Sequence, residues 1–478
     1  MKTGEFLKES IHLKNFRDIE IKSLHLDSRE VTKGGLFFAV KGKESDGNNF
    51  IKSALDQGAS MVISDSSNTG IEDVIHQKEL KKNIGIFASR FYGNPSSRLK
   101  TICVTGTNGK TTCVESFAAM SNLLNRKCAF MSTINYSTDG INLKASQLTT
   151  PDPIRVQKNI KGALDDNAVY LSMEASSHGL DQNRLNGVDI DYAILTSFSH
   201  DHLDYHLDLE NYKSSKEKLF LDLNPKQNVI CIDSSFGKEL YNKVKEINPY
   251  TYSVSIKQEA DFQASFEDIK DGLNVTLCGL DNKFNFDLTT VSRYLASNVI
   301  CSIAVLMLEN FDPDSIKSLT RKIDFPLGRL QKIEKGNISI YIDYAHTPEA
   351  LKNTLKEIKR FHNDDLWCLF GCGGDRDKEK RPLMGGAAEK YSDKVILTND
   401  NPRTEDENKI IRDILSGINN KDKIIIQSDR RQAIEIAISG LQNKNGGILL
   451  IAGKGHETHQ EINGRFFEFN DIDIVKSL

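Results

Sequence analysis

The segment TICVTGTNGKTTC, residues 101–113, is the feature that most constrains the fold of this 478-residue chain. It holds an apolar strand, a glycine-rich loop, Lys110, Thr111 and the start of a helix. This order directs backbone N–H groups and a helix N-terminus at a phosphate chain, with the lysine on the terminal phosphates and a threonine hydroxyl on Mg²⁺. Val104 stands where the strict motif GxxxxGK[ST] requires its first glycine, so an ordinary glycine turn before a helix is the alternative.

Chain length and breaker residues predict three domains. A prior of about 150 residues per domain suggests about three units for a chain of this size. One boundary is expected at YGNPSSRLK, and another at IDFPLGRLQ, where Pro326 and Gly328 break a helical stretch. We therefore expect domains at residues 1–98, 99–326 and 327–478.

Strand-like runs alternate with helical stretches along most of the chain. The first domain holds LFFAV, MVISD and IGIFA, the second KTICVT, CAFMST, AVYLSMEA, YAILTSF and NVICID, and the third ISIYID, LWCLFG, KVILTN, KIIIQS and GILLIAG. Such alternation predicts open, mostly parallel sheets with helices on both faces. We expect an α/β protein with a small N-terminal α/β domain, a central P-loop domain on a mostly parallel sheet, and a Rossmann-like C-terminal domain.

Composition narrows the partners. The formal net charge of −4 is too small for bulk attraction to nucleic acid or an anionic membrane, so local Lys, Arg and N–H groups must hold any anionic ligand. No signal-peptide core and no uncharged run of about 18 apolar residues occurs, which predicts a cytoplasmic protein. Eight cysteines without a CxxC pair indicate buried free thiols.

Two segments of the second domain carry metal-binding residue types. Glu174 ends the strand of VYLSMEASSHGLDQNR, where a carboxylate beside the phosphate loop can hold Mg²⁺; a helix cap is the alternative. LTSFSHDHLDYH, residues 195–206, holds three His and two Asp without cysteine. That mixture suits Mg²⁺ or Mn²⁺ better than zinc, and a solvated polar loop is a third possibility.

Three loops of the third domain follow strands and therefore share one rim of the predicted sheet. They are FGCGGDRDKEKRPLM, TNDNPRTED and IAGKGHETHQ. Open α/β sheets bind ligands at this rim, so the loops predict a pocket, with solvated surface decoration as the alternative.

The chain resembles the Mur ligase family nearly end to end. The matching segments are LDSR at 26–29, GTNGKTT at 106–112, LTTPDP at 148–153, MEASSHGLDQNR at 173–184, DHLDYH at 201–206, YKSSK at 212–216, GR at 328–329, DYAHTPEAL at 343–351, GCGGDRDK at 371–378, DNPR at 400–403 and GKGHE at 453–457. The phosphate loop with Val104 is normal for this family.

The resemblance implies an ATP- and Mg²⁺-dependent amide ligase that adds meso-diaminopimelate to UDP-N-acetylmuramoyl-L-alanyl-D-glutamate. These two molecules are the implied partners of an expected monomer. A carboxylate is a poor electrophile, so the γ-phosphoryl group of ATP is transferred to it, an amine attacks the acyl phosphate, and phosphate leaves.

The resemblance also implies the catalytic and nucleotide-binding residues. The implied ATP-binding set is Gly106, Thr107, Asn108, Gly109, Lys110, Thr111, Thr112, Asn298, Arg329 and His346. Lys110 would stabilise the transferring phosphoryl group, and Thr111 and Glu174 would hold one Mg²⁺. His202 and a carbamylated Lys216 would hold a second Mg²⁺; from the residues alone, Lys216 is a solvated lysine on an amphipathic helix.

The same resemblance implies the substrate sites. The UDP-sugar and dipeptide set is Leu26, Ser28, Lys43, Glu44, Ser45, Thr149, Thr150, Ser176, Gln182 and Arg184, with a helix cap as the alternative for Ser176. The diaminopimelate set is Arg376, Asp400, Asn401, Pro402, Arg403, Gly453 and Glu457.

Specificity is expected to depend on Arg403. The far end of meso-diaminopimelate carries an ammonium and a carboxylate, and the carboxylate suits a fork-shaped cation. With L-lysine, Arg403 would be unpaired at a cost of about 2–4 kcal/mol, or about 30- to 1000-fold in selectivity. Glu405 and Asp406 are expected to be solvated surface residues.

Four other functions remain open at this level. The same ligase could add L-lysine, or the chain could be a folylpolyglutamate synthase. Outside the family, it could be a P-loop ATPase that drives motion or signalling, or a noncatalytic UDP-sugar-binding protein.

Overall fold

The computed structural model describes residues 1–7, 18–42, 45–67, 69–71, 74–146, 148–270 and 272–478. Three large sheets and one two-stranded hairpin follow one another along this part of the chain. The expectation of an α/β protein with a mostly parallel central sheet is confirmed.

The first sheet has four parallel strands in sequence order. Its strands are β1 Ser23–His25, β2 Gly35–Ala39, β3 Ala59–Ser64 and β4 Val74–His76, and the accompanying helices are α1 Thr3–Phe6, α2 Ile51–Asp56 and α3 Leu80–Phe91. All five residues of β2 are buried, as expected for a strand covered on both faces.

The strand predicted for IGIFA, residues 84–88, is wrong, because these residues lie inside helix α3. Leu80, Ile84, Phe87 and Ala88 are buried at helical spacing along one face of α3. A short apolar run does not distinguish a strand from a buried helix turn; the spacing over three turns does.

The second sheet has eleven strands among the described residues, in the order β15-β14-β13-β12-β11-β10-β5-β9-β6-β7-β8. The strands are β5 Lys100–Thr105, β6 Cys128–Met131, β7 Asn135–Ser137, β8 Lys144–Ala145, β9 Tyr170–Glu174, β10 Tyr192–Leu195, β11 Gln227–Cys231, β12 Thr251–Ser255, β13 Phe262–Ile269, β14 Gly272–Gly279 and β15 Asn282–Leu288. The helices are α4 Lys110–Leu123, α5 Pro153–Asp165, α6 Ser177–Asp181, α7 Leu203–His206, α8 Leu209–Leu221, α9 Ser235–Ile247, α10 Arg293–Leu308 and α11 Pro313–Leu319.

Strand β5 lies in the middle of this sheet and is covered on both faces. Ile102 and Val104 belong to the core that α4 and α10 cover, whereas Cys103 belongs to the core on the opposite face. Its neighbours β9 and β10 run parallel to it, so the loops that follow all three strands leave the sheet at one rim.

The third sheet has six strands in the order β16-β17-β21-β18-β19-β20. They are β16 Gln331–Lys335, β17 Ile338–Asp343, β18 Leu366–Phe370, β19 Lys394–Leu397, β20 Ile424–Ile426 and β21 Gly447–Ala452. The helices are α12 Pro348–Phe361, α13 Lys380–Tyr391, α14 Glu407–Leu415, α15 Arg430–Gln442 and α16 Asp471–Ser477, and the hairpin is β22 His459–Ile462 with β23 Arg465–Glu468. Only β16 is antiparallel to its neighbour in this sheet.

Strand β21 comes last in the sheet's chain order but pairs between β17 and β18. The loops after β18, β19 and β21 therefore meet at the carboxyl ends of adjacent strands. These are the three loops singled out in the sequence.

Seven of the eight cysteines are buried free thiols, as expected, and Cys278 on β14 is exposed. No helix in the described ranges has both the length and the apolar content needed to cross a membrane.

Candidate active site

The loop between β5 and α4 adopts a conformation that only glycine allows at two positions. The φ angles of Gly106 and Gly109 are 149° and 90°. A Cβ at Gly106 would lie 2.1 Å from Oγ1 of Thr196, and a Cβ at Gly109 would lie 2.2 Å from Oδ1 of Asn298. The loop is closed by Thr196, in the loop after the neighbouring strand β10, and by Asn298 of helix α10, so both glycines are required for its conformation.

Two lysines converge on this loop. Nζ of Lys110 donates to the carbonyl oxygens of Gly106 and Thr107, each at 3.0 Å. Nζ of Lys216, on α8, donates to the same Gly106 carbonyl at 2.9 Å. Two lysine side chains beside a backbone loop at a helix N-terminus form a site suited to a polyanion.

Lys216 is buried, so the solvated surface lysine considered from the residues alone is wrong. Its side chain is 1% exposed, and its ammonium lies 4.4 Å from the ring centre of Tyr212. Burial, with the charge of Lys110 acting in the same direction, lowers the pKa of Lys216 well below its usual value. The shift favours the neutral amine over the ammonium, because the surroundings stabilise the charged form less than water does.

Thr111 and Glu174 are in direct contact. Oγ1 of Thr111, in the first turn of α4, donates to Oε1 of Glu174, at the end of β9, at 2.8 Å. Glu174 is buried and also accepts hydrogen bonds from the backbone N–H of Thr133, at 2.7 Å, and from its hydroxyl, at 3.0 Å. A hydroxyl and a carboxylate are hard oxygen donors, so this pair fits Mg²⁺.

His202 lies at the start of α7 beside an acid. Its Nε2 is 3.4 Å from Oδ2 of Asp201, which is also 3.8 Å from Nε2 of His346. Burial lowers the pKa of His202 to about 3, so its imidazole is neutral and able to bind a metal at physiological pH. No group of three His, Cys, Asp or Glu side chains within the described ranges could hold a metal ion, so the zinc alternative has no ligand set there.

Arg329 lies between the second and third sheets. Its Nη2 donates to Oγ1 of Thr111 at 3.2 Å, and its guanidinium stacks 4.5 Å from the ring centre of Tyr344. Its Nε is buried and has no hydrogen-bond partner. A buried, unsatisfied guanidinium N–H near the phosphate loop is a donor suited to a phosphate oxygen.

Two adjoining cavities open around these groups. The smaller cavity, of about 160 Å³, is lined by three of the predicted ATP-binding residues, Thr112, Asn298 and Arg329, among others. Another predicted ATP-binding residue, His346, lines the larger cavity instead. The larger cavity, of about 410 Å³, collects residues from both sheets. The predicted site residues on its wall are Thr107, Asn108, Gly109, Lys110, Thr111, Thr149, Thr150, Glu174, Ser176, Arg184, His202, Lys216, Arg329, His346, Arg376, Asp400, Asn401, Arg403, Gly453 and Glu457.

The predicted dipeptide residues are hydrogen-bonded to one another next to Glu174. Oγ1 of Thr150 donates to the Glu174 carbonyl at 2.8 Å and accepts from the N–H of Ser176 at 3.0 Å. Nη1 of Arg184 donates to the Thr150 carbonyl at 2.5 Å. Ser176 also caps α6 through the N–H of Gly179, so the helix-cap alternative holds for its hydroxyl.

Other predicted residues lie away from the larger cavity. Gln182 accepts from Arg184 and donates to Tyr205, and Pro402 precedes Arg403 in the loop after β19. Leu26, Ser28 and Ser45 belong to the first sheet's unit, which an Arg155–Glu30 ion pair of 2.9 Å connects to α5. Lys43 and Glu44 fall outside the described residues.

Arg403 has partners within the protein, so with L-lysine it would not be wholly unpaired in the way that was expected. It adopts φ 52°, its Nη1 donates to the Gly374 carbonyl at 2.8 Å, and its Nε lies 3.0 Å from Oε2 of Glu461 on β22. Its Nη2 makes no hydrogen bond to any described residue, so that end of the fork is the one left for a ligand.

The other residues predicted to bind diaminopimelate contact one another. A Cβ at Gly453 would lie 2.6 Å from Oδ2 of Asp400, so only glycine allows the two loops to approach. Nδ2 of Asn401 donates to Oε2 of Glu457 at 2.8 Å.

Glu405 is not a solvated surface residue, so that expectation is wrong. Its carboxylate accepts from Nη2 of the fully buried Arg381 at 2.7 Å and from Nη1 at 2.9 Å. The Arg381 hydrogen bonds lower the pKa of Glu405 to about 2. Asp406 is exposed and caps α14 through the N–H of Asn408.

The two sheets touch across the larger cavity. Nη1 of Arg376 lies 3.5 Å from Oδ2 of Asp204, and Nε2 of His200 lies 3.0 Å from Oδ2 of Asp377. The loop after β18 therefore contacts the His/Asp loop after β10. As a result, the residues predicted to bind the amino acid and those predicted to bind the phosphates of ATP line the same cavity.

Several residues of the site were not identified from the sequence. They are Asp201, Tyr212, Thr133, Arg381, Lys454 and Glu461. All but Glu461 lie within segments that were quoted from the sequence, namely DHLDYH, YKSSK, CAFMST, FGCGGDRDKEKRPLM and GKGHE, so they could have been weighed. Glu461 lies just beyond the last of the three loops and carries no local signal.

Profiles of three protein families match successive parts of the chain. "Mur ligase family, catalytic domain" matches residues 20–89, "Mur ligase middle domain" matches 104–306, and "Mur ligase, glutamate ligase domain" matches 328–455.

Among curated proteins, the chain is similar to those called UDP-N-acetylmuramoyl-L-alanyl-D-glutamate--2,6-diaminopimelate ligase. The one from Aquifex aeolicus is 39% identical over 96% of this chain and 93% of its own length. The one from Clostridioides difficile is 38% identical over 99% of each chain.

Solved structures show the same fold. A structure titled UDP-N-acetylmuramoyl-L-alanyl-D-glutamate--2,6-diaminopimelate ligase aligns with a TM-score of 0.71 at 33% identity, over 99% of this chain and 98% of that chain. MurF ligase from Thermotoga maritima in complex with ADP aligns with a TM-score of 0.66 at 20% identity, over 91% and 95% of the two chains.

Proposed function

This chain belongs to the Mur ligase family, and on that basis we propose which of its residues carry out an ATP-dependent ligation. The reaction joins 2,6-diaminopimelate to the D-glutamate of UDP-N-acetylmuramoyl-L-alanyl-D-glutamate in peptidoglycan precursor synthesis. The L-lysine alternative is not favoured, because curated relatives similar over nearly the whole chain carry the diaminopimelate name.

The observation that carries the residue assignment is the larger cavity. Its wall joins Lys110, Thr111 and Glu174 of the second sheet to Arg403 and Glu457 of the third. A ligase must bring an activated carboxylate and an amine together while excluding water, and one space lined by both groups meets that requirement.

Bound ATP with Mg²⁺ would supply the γ-phosphoryl group that converts the glutamate carboxylate into an acyl phosphate. The phosphate loop, residues 106–112, provides N–H groups and Lys110 to hold the triphosphate. Arg329 adds a donor from the third sheet, and Asn298 closes the loop against α10. Thr111 and Glu174 would hold Mg²⁺ through oxygen atoms already 2.8 Å apart.

Lys216 is proposed to act as a carbamate. The neutral amine would attack the carbon of CO₂: an N–C bond forms, one C=O π bond opens to give a carboxylate, and the nitrogen releases one proton to solvent. Counted from the ammonium form, two protons are lost, so a side chain of charge +1 becomes one of charge −1. His202 and Lys216 lie against the same tyrosine, Tyr212, and a carbamate formed at Lys216 would hold a second Mg²⁺ together with His202. The gain is counter-charge where triphosphate and substrate carboxylate crowd together.

The amine side is proposed to lie at the three loops of the third sheet. Nη2 of Arg403 would bind the distal carboxylate of meso-diaminopimelate, and Arg376 lies on the same wall. Asp400, Asn401, Glu457 and the Gly453 carbonyl would surround the distal ammonium.

The other substrate is proposed to extend from Thr149, Thr150, Ser176, Gln182 and Arg184 towards the first sheet, with its uridine near Leu26, Ser28 and residues 43–45. We further propose domains at residues 1–98, 99–326 and 327–478, and a cytoplasmic monomer without a nucleic-acid or membrane partner.

The test is a ligation assay with ATP, Mg²⁺ and UDP-N-acetylmuramoyl-L-alanyl-D-glutamate, comparing meso-diaminopimelate with L-lysine. The expected result is amide product with meso-diaminopimelate only, lost on chelation of Mg²⁺ and restored by its addition. Preference for L-lysine contradicts the amino-acid assignment. Phosphate release that does not depend on the UDP-linked substrate would indicate a P-loop ATPase of another role.

A further inference from the structure

Lys454 lies inside the protein rather than on the wall of the larger cavity. Its side chain is 0% exposed, and it stands between Gly453 and Gly455, whose φ angles are 109° and 54°. Left-handed backbone on both sides of a residue is readily adopted only by glycine. In this Gly-Lys-Gly segment the ammonium group of Lys454 is therefore buried in the protein and is not exposed to an anionic ligand.

The ammonium of Lys454 has three acceptors. Nζ donates to Oε2 of Glu457 at 2.8 Å, to the carbonyl of His459 at 2.8 Å and to Oδ1 of Asn401 at 3.0 Å. An ammonium has three N–H donors, so its hydrogen-bonding capacity is filled. Burial of a lysine charge requires a counter-charge, which Glu457 supplies.

These contacts fix two residues that do line the cavity. Oε2 of Glu457 accepts from both Lys454 and Nδ2 of Asn401, at 2.8 Å each, which leaves Oε1 as the uncommitted oxygen. Oδ1 of Asn401 accepts from Lys454 and from the N–H of Glu461, both at 3.0 Å. Glu457 and Asn401 lie on the cavity wall, whereas Lys454 lies behind them.

We propose that Lys454 is a positioning residue of the amino-acid subsite, because it holds Glu457 in the orientation that receives the distal ammonium of the incoming amino acid. The proposal rests on the proposed placement of that subsite. A carboxylate held in its binding orientation loses little conformational freedom when the ligand arrives, and this improves affinity without a direct contact.

The test compares Lys454→Met, Glu457→Gln and the double variant by their KM values for meso-diaminopimelate, ATP and the UDP-linked substrate. Lys444→Met is the matched control, since Lys444 is about half exposed and pairs with Asp365 on the surface of the same domain. We expect Lys454→Met to raise the KM for diaminopimelate by about tenfold or more, with the other two KM values within about twofold of wild type. The control should match wild type for all three.

The double variant separates positioning from an independent effect. If Lys454 acts through Glu457, the double variant has the diaminopimelate KM of Glu457→Gln alone. The proposal is overturned if the fold-increase of the diaminopimelate KM in the double variant equals the product of the two single-variant increases. It is also overturned if Lys454→Met leaves the diaminopimelate KM unchanged. A lower melting temperature with equal loss for all three substrates indicates a structural role and also overturns it.

If Lys454→Met folds poorly, the double variant carries the test, because it removes both members of the buried charge pair. A diaminopimelate KM above that of Glu457→Gln in this variant contradicts positioning through Glu457. The wild-type amino-acid preference is measured first: preference for L-lysine would defeat the proposed amino-acid assignment, and the Lys454 comparison would then be run with L-lysine.

Discussion

Nη2 of Arg329 donates a 3.2 Å hydrogen bond to Oγ1 of Thr111, which joins the start of the third sheet's domain to the helix that follows the phosphate loop. The nearby Nε is buried without a partner. Arg329 is thus both a bridge between the two halves of the cavity and a donor with one position open to a ligand.

Arg329→Ala is expected to raise the KM for ATP and lower kcat, together by about 100-fold in kcat/KM, because a charge-assisted bond to phosphate and a contact between the two halves are lost. Steady-state kinetics with ATP varied would measure this. Arg321→Ala is the control, since Arg321 is exposed and pairs with Asp287 away from both cavities. An unchanged KM for ATP in Arg329→Ala would remove this residue from the nucleotide site.

Lys216→Ala is expected to lose nearly all activity and to regain part of it with a small carboxylate such as acetate, which can replace the carbamate. Lys213→Ala on the same helix is the control, because Lys213 pairs with the exposed Glu210. ¹³C NMR of wild type with labelled CO₂ should show a carbamate signal that is absent in Lys216→Ala. Wild-type activity in Lys216→Ala would exclude the carbamate.

Arg403→Ala is expected to weaken use of meso-diaminopimelate by about 10- to 150-fold, the range of one charge-assisted hydrogen bond worth about 1.5–3 kcal/mol. This range is lower than the selectivity for meso-diaminopimelate over L-lysine that a fully unpaired Arg403 would give. The reason is that Glu461 and the Gly374 carbonyl already bind two of its three nitrogen atoms. The ratio of kcat/KM for meso-diaminopimelate and L-lysine measures the effect. Arg412→Ala, an exposed arginine of α14, should keep the wild-type ratio; the same ratio in Arg403→Ala would argue against this role.

Glu405→Ala is expected to lower the free energy of unfolding by about 3 kcal/mol, because it leaves the fully buried Arg381 with only part of its counter-charge. Urea denaturation would measure the change. Asp406→Ala, which removes an exposed helix cap next to it, should cost about 1 kcal/mol. Equal effects of the two variants would mean that the Arg381 pair adds nothing beyond a surface contact.

Stability is expected to fall as the pH drops below about 6.5, the ordinary pKa of histidine in an unfolded chain. Burial lowers the pKa of His178 to about 4 and that of His456 to about 3. Between these values and 6.5 the unfolded state binds more protons than the folded state, so acid favours unfolding. Urea midpoints at pH 7.5 and 5 would test this. His456→Gln should show a smaller difference between the two pH values, and an undiminished difference would contradict the contribution of His456.

The strands of the second and third sheets were largely predictable because each is a short apolar run followed by a polar loop. IGIFA misled because its apolar run is as short as a strand although its residues are spaced as in α3. The antiparallel strands β13, β14 and β15 were not predicted, since exposed residues interrupt their apolar pattern.

The site was predictable where neighbouring residues carry the chemistry, as in the phosphate loop. It was not predictable where a partner comes from far along the chain. Glu461 lies 58 positions after Arg403, and Arg381 is 24 positions before Glu405; both pairs depend on how β-strand loops meet. Lys454 was not singled out in the GKGHE segment, and only the packing shows that it points into the protein.

The distribution of cysteines makes the native chain a ready substrate for site-specific labelling. Seven thiols are buried, and Cys278 on β14 alone is exposed. A maleimide dye added to the folded enzyme should therefore attach at one position, in the antiparallel part of the second sheet and away from both cavities. Fluorescence from that dye could follow ligand-induced rearrangement without replacing any of the other cysteines.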